Sequence, residues 1–95
     1  MSDVVLVDGA RTAHGSLLGR LSDMSAVDLG RIALDGLLDR ITVAPADIDY
    51  VTVGNAIQAG IGQVPGRQAT YASGLPKETP VTTINEASGS GVRAI

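Results

Sequence analysis

The first apolar cluster in the chain is Val4-Val5-Leu6-Val7, closed by Asp8-Gly9. An unbroken, mostly β-branched run of this length predicts a strand buried on both faces. The next sixteen residues, "ARTAHGSLLGRLSDMS", carry no period and mix Gly, Ser and Arg, which reads as a long loop. The pattern then changes to steps of three and four. From Ala26 to about Ile41 the polar positions Asp28, Arg31, Asp35 and Asp39 form one wet face, while Leu29, Ile32, Ala33, Leu37 and Ile41 turn inward. Ser25 stands where this helix begins and Asp28 follows three residues later, as in a capping box. Gly30 and Gly36 each weaken such a helix by roughly 1 kcal/mol relative to Ala, and a close approach by another element accounts for them.

Ala44-Pro45-Ala46-Asp47 marks a turn, and Ile48 to Val53 a second strand closed by Gly54-Asn55. "AIQAGIGQ" is a glycine-rich loop. Pro65 suits the first turn of a second helix, which runs to about Ser73 before Gly74 ends it and Pro76 blocks its resumption. Val81 to Ile84 is a third strand, and a third helix begins near Ser88. The order β-α-β-α-β-α predicts an α/β fold with a mainly parallel sheet and helices on its faces. Ligands in such folds collect beyond the carboxyl ends of the strands. Ser88 falls at that place.

Composition narrows the function classes. The 95 residues are 44% hydrophobic, which suits a packed domain or part of one and excludes a disordered tail. The packing groups are small: two Tyr, no Phe and no Trp. That favours tight α/β layers completed by an oligomeric partner or a further segment. With a net charge of −3 and no cluster among its cations, the chain is not expected to bind nucleic acid. Having no cysteine, it excludes disulfides, cysteine metal sites and thiol catalysis within this segment. No stretch is long enough for a signal or a membrane span, so no membrane partner and a cytoplasmic location are expected.

The stretch "VTTINEASGSGVRAI" carries the candidate chemistry. A serine where a strand gives way to a helix is either an N-cap or a nucleophile facing backbone N–H groups that stabilise an oxyanion. Both readings fit Ser88. A third uses Gly89-x-Gly91-x-x-Ala94, which matches the dinucleotide fingerprint after a strand. In that reading the acidic ribose-binding residue falls about twenty positions later, beyond Ile95. The serine-hydrolase elbow G-x-S-x-G does not fit, because Ser88 lies two before Ser90 and Glu86 two before Ser88.

Three blocks in order, "ARTAHGSLLGRL", "GNAIQAGIGQVPGRQA" and "INEASGSGVRAI", resemble successive N-terminal signatures of the thiolases. The resemblance covers essentially the whole chain. It implies residues 1–95 as the N-terminal part of the thiolase N-terminal domain, a layered α/β/α fold left incomplete, as a fragment or a split subunit. In thiolases the position of Ser88 is ordinarily a cysteine that takes the acyl group from a CoA thioester, followed by the same Gly-Ser-Gly. The resemblance therefore makes Ser88 the acyl acceptor, with its backbone N–H in an oxyanion hole. It implies no metal or redox cofactor, acyl-CoA as substrate, and a homo-oligomer or a completing subunit as partner. A hydroxyl lies much further from neutral-pH ionisation than a thiol, so Ser88 depends on a placed general base. The family keeps its catalytic His and a second Cys in its C-terminal half. His14, the one histidine here, falls at a variable loop position. Asn85-Glu86-Ala87 is not the family's downstream Asn-Glu-Ala motif. The isolated chain is thus expected to carry out neither thiolysis nor Claisen condensation. A non-catalytic thiolase-like subunit that binds acyl-CoA or a scaffold partner is the other reading within the family. Arg11, Thr12, Gly15, Gln63, Pro65 and Arg67 are expected to organise loops and helix starts, and Arg93 to form an internal ion pair.

Overall fold

The computed structural model describes residues 3–95. Helix α1 runs over Ala26–Arg40, a short 3-10 turn over Pro45–Asp47, strand β1 over Val51–Gly54, helix α2 over Pro65–Ala72, strand β2 over Val81–Ile84 and helix α3 over Ser90–Ala94. β1 and β2 pair in parallel, Val51 opposite Val81 through Gly54 opposite Ile84. The α/β class and the parallel pairing agree with the sequence reading.

Helix α1 forms where the periodicity places it. Ser25 Oγ accepts from the Asp28 N–H at 3.0 Å and Asp28 Oδ2 accepts from the Ser25 N–H at 3.0 Å, closing the capping box. Arg31 and Asp35 pair at 3.0 Å on the wet face. Ile32, placed inward by the pattern, is 36% exposed. Gly30 has the reason expected of it: a Cβ there would stand 3.1 Å from the Ala69 Cβ of α2. Gly36 has no such constraint, its nearest neighbour lying at 3.9 Å.

The cap makes an acid prediction. Hydrogen bonds from the Ser25 N–H and then the Ser25 hydroxyl hold the Asp28 carboxyl below the ordinary carboxylate range. A carboxylate depressed in the folded state stabilises above its unfolded pKa, about 3.9, and loses that contribution as pH falls through the folded value. Ser25→Ala should cost about 1 kcal/mol, and Asp28→Ala, which removes the titrating group, should flatten the loss of helicity below about pH 4, followed by circular dichroism. An unchanged acid profile in Asp28→Ala would remove the cap as its source.

The second strand is shorter than the expected Ile48–Val53 because its partner begins at a proline. The Pro80 carbonyl accepts from Val51 N–H at 3.0 Å, but Pro80 has no N–H to return, so the ladder starts at Val51. The first strand is not formed. Val4, Val5, Leu6 and Val7 are 98%, 71%, 88% and 71% exposed, and no described strand pairs with them. An extended run without a neighbour leaves its peptide groups to water, and the apolar pattern alone cannot hold it as a strand. Beyond it, Arg40 Nε grips Asp8 at 3.2 Å.

α2 is seated on the sheet by a bare backbone. Gly66 is buried, and a Cβ there would fall 2.7 Å from Thr83 Oγ1 and 2.9 Å from Val53 Cβ. Its N–H donates to Thr83 Oγ1 at 3.1 Å. Pro65 occupies the first turn and Gly74, at φ +83°, ends the helix region. Arg67 crosses to the Thr79 carbonyl at 3.0 Å and also reaches that of Lys77, fixing the connection to β2. Ala69 and Leu75 are buried among those described, with Pro65, Gly66 and Thr70 of α2 beside them. The core lies under α2, and α1 contributes a half-buried face.

Candidate functional site

The carboxyl end of β2 leads into a compact turn that lies beside the carboxyl end of β1. The two strands run on past the ladder through Asn55 N–H, which donates to the Ile84 carbonyl at 2.9 Å. The chain then folds back over residues 85–90. Gly89 N–H donates to the Glu86 carbonyl at 3.0 Å and Ser90 N–H to the Ala87 carbonyl at 3.2 Å. Two side chains brace this turn. Asn85 Oδ1 accepts from the Ala87 N–H and its Nδ2 donates to the Ala56 carbonyl, each at 3.0 Å. Ser90 Oγ donates to the Ala87 carbonyl at 2.7 Å and accepts from the Glu86 N–H at 2.8 Å. Ala87 sits at φ +51°. A left-handed alanine costs on the order of 1–3 kcal/mol and persists where surrounding bonds over-determine it.

The two serines of Ser88-Gly89-Ser90 have opposite environments. Ser90 is 4% exposed with its hydroxyl doubly bonded. Ser88 is exposed, and its hydroxyl makes no side-chain hydrogen bond among the described residues. It stands one residue past the left-handed alanine and two before α3.

Below the turn, Gly54 at the end of β1 touches the start of α3. A Cβ there would lie 2.4 Å from the Ser90 carbonyl oxygen, 2.5 Å from its carbon and 2.8 Å from Gly91 N. All three are backbone atoms. The site therefore rests on direct backbone contact between β1 and α3. Arg93 Nε meets Glu86 Oε1 at 3.5 Å across the same turn, the internal ion pair expected of it.

Two expectations change here. Ser88 is not the helix cap: Gly89 occupies that position and α3 begins at Ser90, because the chain needs the extra residues to complete the turn. Nor do the first amides of the helix region face outward together, since Gly89 and Ser90 spend theirs on carbonyls within the turn. The fingerprint glycines show no close approach. Gly91 has nothing within 4 Å of an added Cβ, and the nearest atom to Gly89 lies at 3.5 Å.

His14 lies in the loop before α1, where Arg20 donates to its carbonyl from Nε at 2.8 Å and from Nη2 at 2.5 Å. No hydrogen bond links it to Ser88 among the described residues. Beside the carboxyl end of β1 a cavity of about 640 Å³ opens between Ala10–Thr12, α1 and residues 53–57. Its lining includes Arg11, Thr12 and Ala56, but not Ser88. Arg11 Nη1 donates to the Thr12 carbonyl at 3.0 Å, in keeping with loop organisation. Among the described residues no group of three His, Asp or Glu side chains is placed to hold a metal, and no helix is long and apolar enough to cross a membrane.

Sequence reasoning missed the parts that build the turn. Gln68 Nε2, not the Gln63 side chain, ties the glycine loop together through the Ile61 carbonyl at 2.9 Å and the Gln63 carbonyl at 2.8 Å. Gly54 reads in sequence as a strand stop, and its contact with α3 has no local signature. Asn85 does carry a signal, since Asn favours bonding to a backbone N–H two residues on.

The chain matches the family model "Thiolase, N-terminal domain" over residues 4–95. It is 45% identical over 93 residues to an acetyl-CoA acetyltransferase of Allochromatium vinosum, covering 98% of this chain and 24% of the relative. It is 44% identical over 95 residues to the mitochondrial acetyl-CoA acetyltransferase of Rattus norvegicus, covering 100% of this chain and 22% of that one. The chain thus spans under a quarter of the length of these relatives. In three dimensions it resembles the Acat5 thiolase from Ascaris suum, solved in complex with coenzyme A, at a TM-score of 0.87 and 35% identity, over 90% of this chain and 22% of that one.

Proposed function

The chain belongs to the thiolase family, and from that premise we propose that it carries the acyl-accepting site of an acyltransferase acting on acyl-CoA thioesters, with Ser88 as the acceptor. The observation that carries this reading is the exposed Ser88 hydroxyl at a braced turn beyond the carboxyl end of β2. Ser88 Oγ attacks the thioester carbonyl, and a general base takes its proton. The Oγ–C bond forms, the C–S bond breaks, and CoA leaves as a thiol carrying that proton. The Ser88 N–H supports the developing oxyanion. In condensation the acyl group then passes to an acetyl-CoA carbanion, forming a C–C bond and returning Ser88. In thiolysis Ser88 Oγ instead attacks the 3-keto carbonyl of a 3-ketoacyl-CoA, the C–C bond breaks as acetyl-CoA leaves and takes up a proton, and the acyl group then passes to the thiol of CoA.

In this reading the base comes from outside these residues: His14, the one histidine of the sequence, lies in the first loop with no hydrogen bond to Ser88 among the described residues. In this reading the 95 residues are the N-terminal part of a larger catalytic unit, completed by further chain or by a companion subunit. A segment under a quarter of its relatives' length, with few buried apolar side chains among those described, is consistent with that role. Alone it should show no thiolysis of acetoacetyl-CoA.

The test is to incubate the full-length protein with acetyl-CoA and map the adduct by peptide mass spectrometry. An acetyl ester on Ser88 is expected, and Ser88→Ala should lower turnover at least about 100-fold. Acetylation elsewhere with unchanged turnover in Ser88→Ala would remove Ser88 from the mechanism.

A further inference from the structure

Ser88 has little to hold its own side chain in place, so its aim is inherited from the peptide units on either side. We propose that Asn85 and Ser90 are positioning residues for acyl transfer, locking Ala87 in its left-handed conformation so that Ser88 presents its hydroxyl and N–H in one fixed direction. This rests on the reading of Ser88 as acyl acceptor and assigns the neighbouring polar side chains a part in the same reaction.

The geometry is reciprocal. Asn85 takes the N–H of Ala87 at 3.0 Å and Ser90 takes its C=O at 2.7 Å, so both peptide units of the strained residue are gripped by side chains. Each grip is anchored outside the turn. Asn85 Nδ2 holds the Ala56 carbonyl in the loop after β1. Ser90 is buried, with its carbonyl against Gly54. The peptide linking Ala87 to Ser88 supplies the serine's N–H. If it rotates toward a more favoured alanine conformation, the N–H and the Cα–Cβ bond turn with it. The acyl carbonyl then meets a hydroxyl and an N–H that no longer converge, and misplacement by about 1 Å is worth on the order of 100-fold in rate. Neither side chain needs to touch the thioester. Their removal should therefore slow the chemical step and leave binding alone.

The experiment uses the full-length protein, acetyl-CoA as the acyl donor, and the rate and place of acetyl incorporation as readouts. Ser90→Ala and Asn85→Ala should each lower the saturating acylation rate about 10- to 100-fold, with the half-saturating acetyl-CoA concentration within about threefold of the parent. Asn85→Asp keeps the acceptor for the Ala87 N–H but loses the donor to Ala56, and should recover only part of the rate that Asn85→Ala loses. Because Asn85 is exposed, its variants decide the matter even if Ser90→Ala does not fold. Acylation of residue 88 at the parental rate in Asn85→Ala overturns the positioning role, with or without a folded Ser90→Ala, while the acceptor role of Ser88 stands. If the parent protein takes no acetyl group at Ser88, both readings fall together.

Discussion

Gly54→Ala is expected to dismantle the candidate site. The added methyl would stand 2.4 Å from the Ser90 carbonyl oxygen, where no side-chain rotation relieves the clash, because the atoms it meets are all backbone. Either β1 leaves its register with β2 or the start of α3 moves away. Overpacking of this kind costs typically 1–3 kcal/mol, here borne by a small core. The displacement falls on Ser90, which holds the turn, so acylation of Ser88 should drop by about 100-fold or more alongside the loss of stability. Gly91→Ala is the matched control: its Cβ meets nothing within 4 Å, and alanine in a helix is favoured over glycine by about 1 kcal/mol. Thermal melts and acetyl incorporation on the two variants check the pair. A Gly54→Ala protein with parental melting and labelling would show that β1 and α3 do not need this contact.

Ser88→Cys should accelerate acyl acceptance by about 10- to 100-fold. A serine hydroxyl is almost wholly protonated at neutral pH and waits on its base, whereas a thiol with a pKa near 8.5 already supplies a few per cent thiolate. The strained turn and the Ser90 brace are unaffected by exchanging oxygen for sulfur at an exposed position. The product changes from an ester to a thioester, which neutral hydroxylamine cleaves readily. The variant's rate should rise with pH and level off near the thiol pKa. A variant no faster than the parent, with the adduct still at residue 88, would mean that nucleophile ionisation does not limit the reaction.

The legible parts of this fold are those fixed by neighbours in sequence. Ser25 and Asp28 announce the start of α1, and the three-and-four spacing carries it to Arg40. Val81–Ile84 is found to the residue, and Pro65 and Gly74 bracket α2. The illegible parts depend on what lies across space. Whether Val4–Val7 becomes a strand is decided by a ladder partner, and hydropathy says nothing about one. Ala87 has no local reason to adopt φ +51°; Asn85, Ser90 and the end of β1 impose it together. For the same reason sequence places Ser88 at the right end of the sheet yet leaves cap and nucleophile unresolved. The difference is two residues in where a helix starts.

The uncovered run at Val4–Val7 bears on how the protein behaves at high concentration. Its peptide groups are engaged in no described ladder, and its side chains are β-branched or leucine without a charge among them. Exposed apolar backbone without a ladder partner favours intermolecular pairing, and flanking carboxylates act as gatekeepers against stacking. Asp3 and Asp8 stand at its two ends. Arg40 already draws on the charge of Asp8, so Asp3 carries the larger share of colloidal protection, and Asp3→Asn should favour fibrous self-association at high concentration.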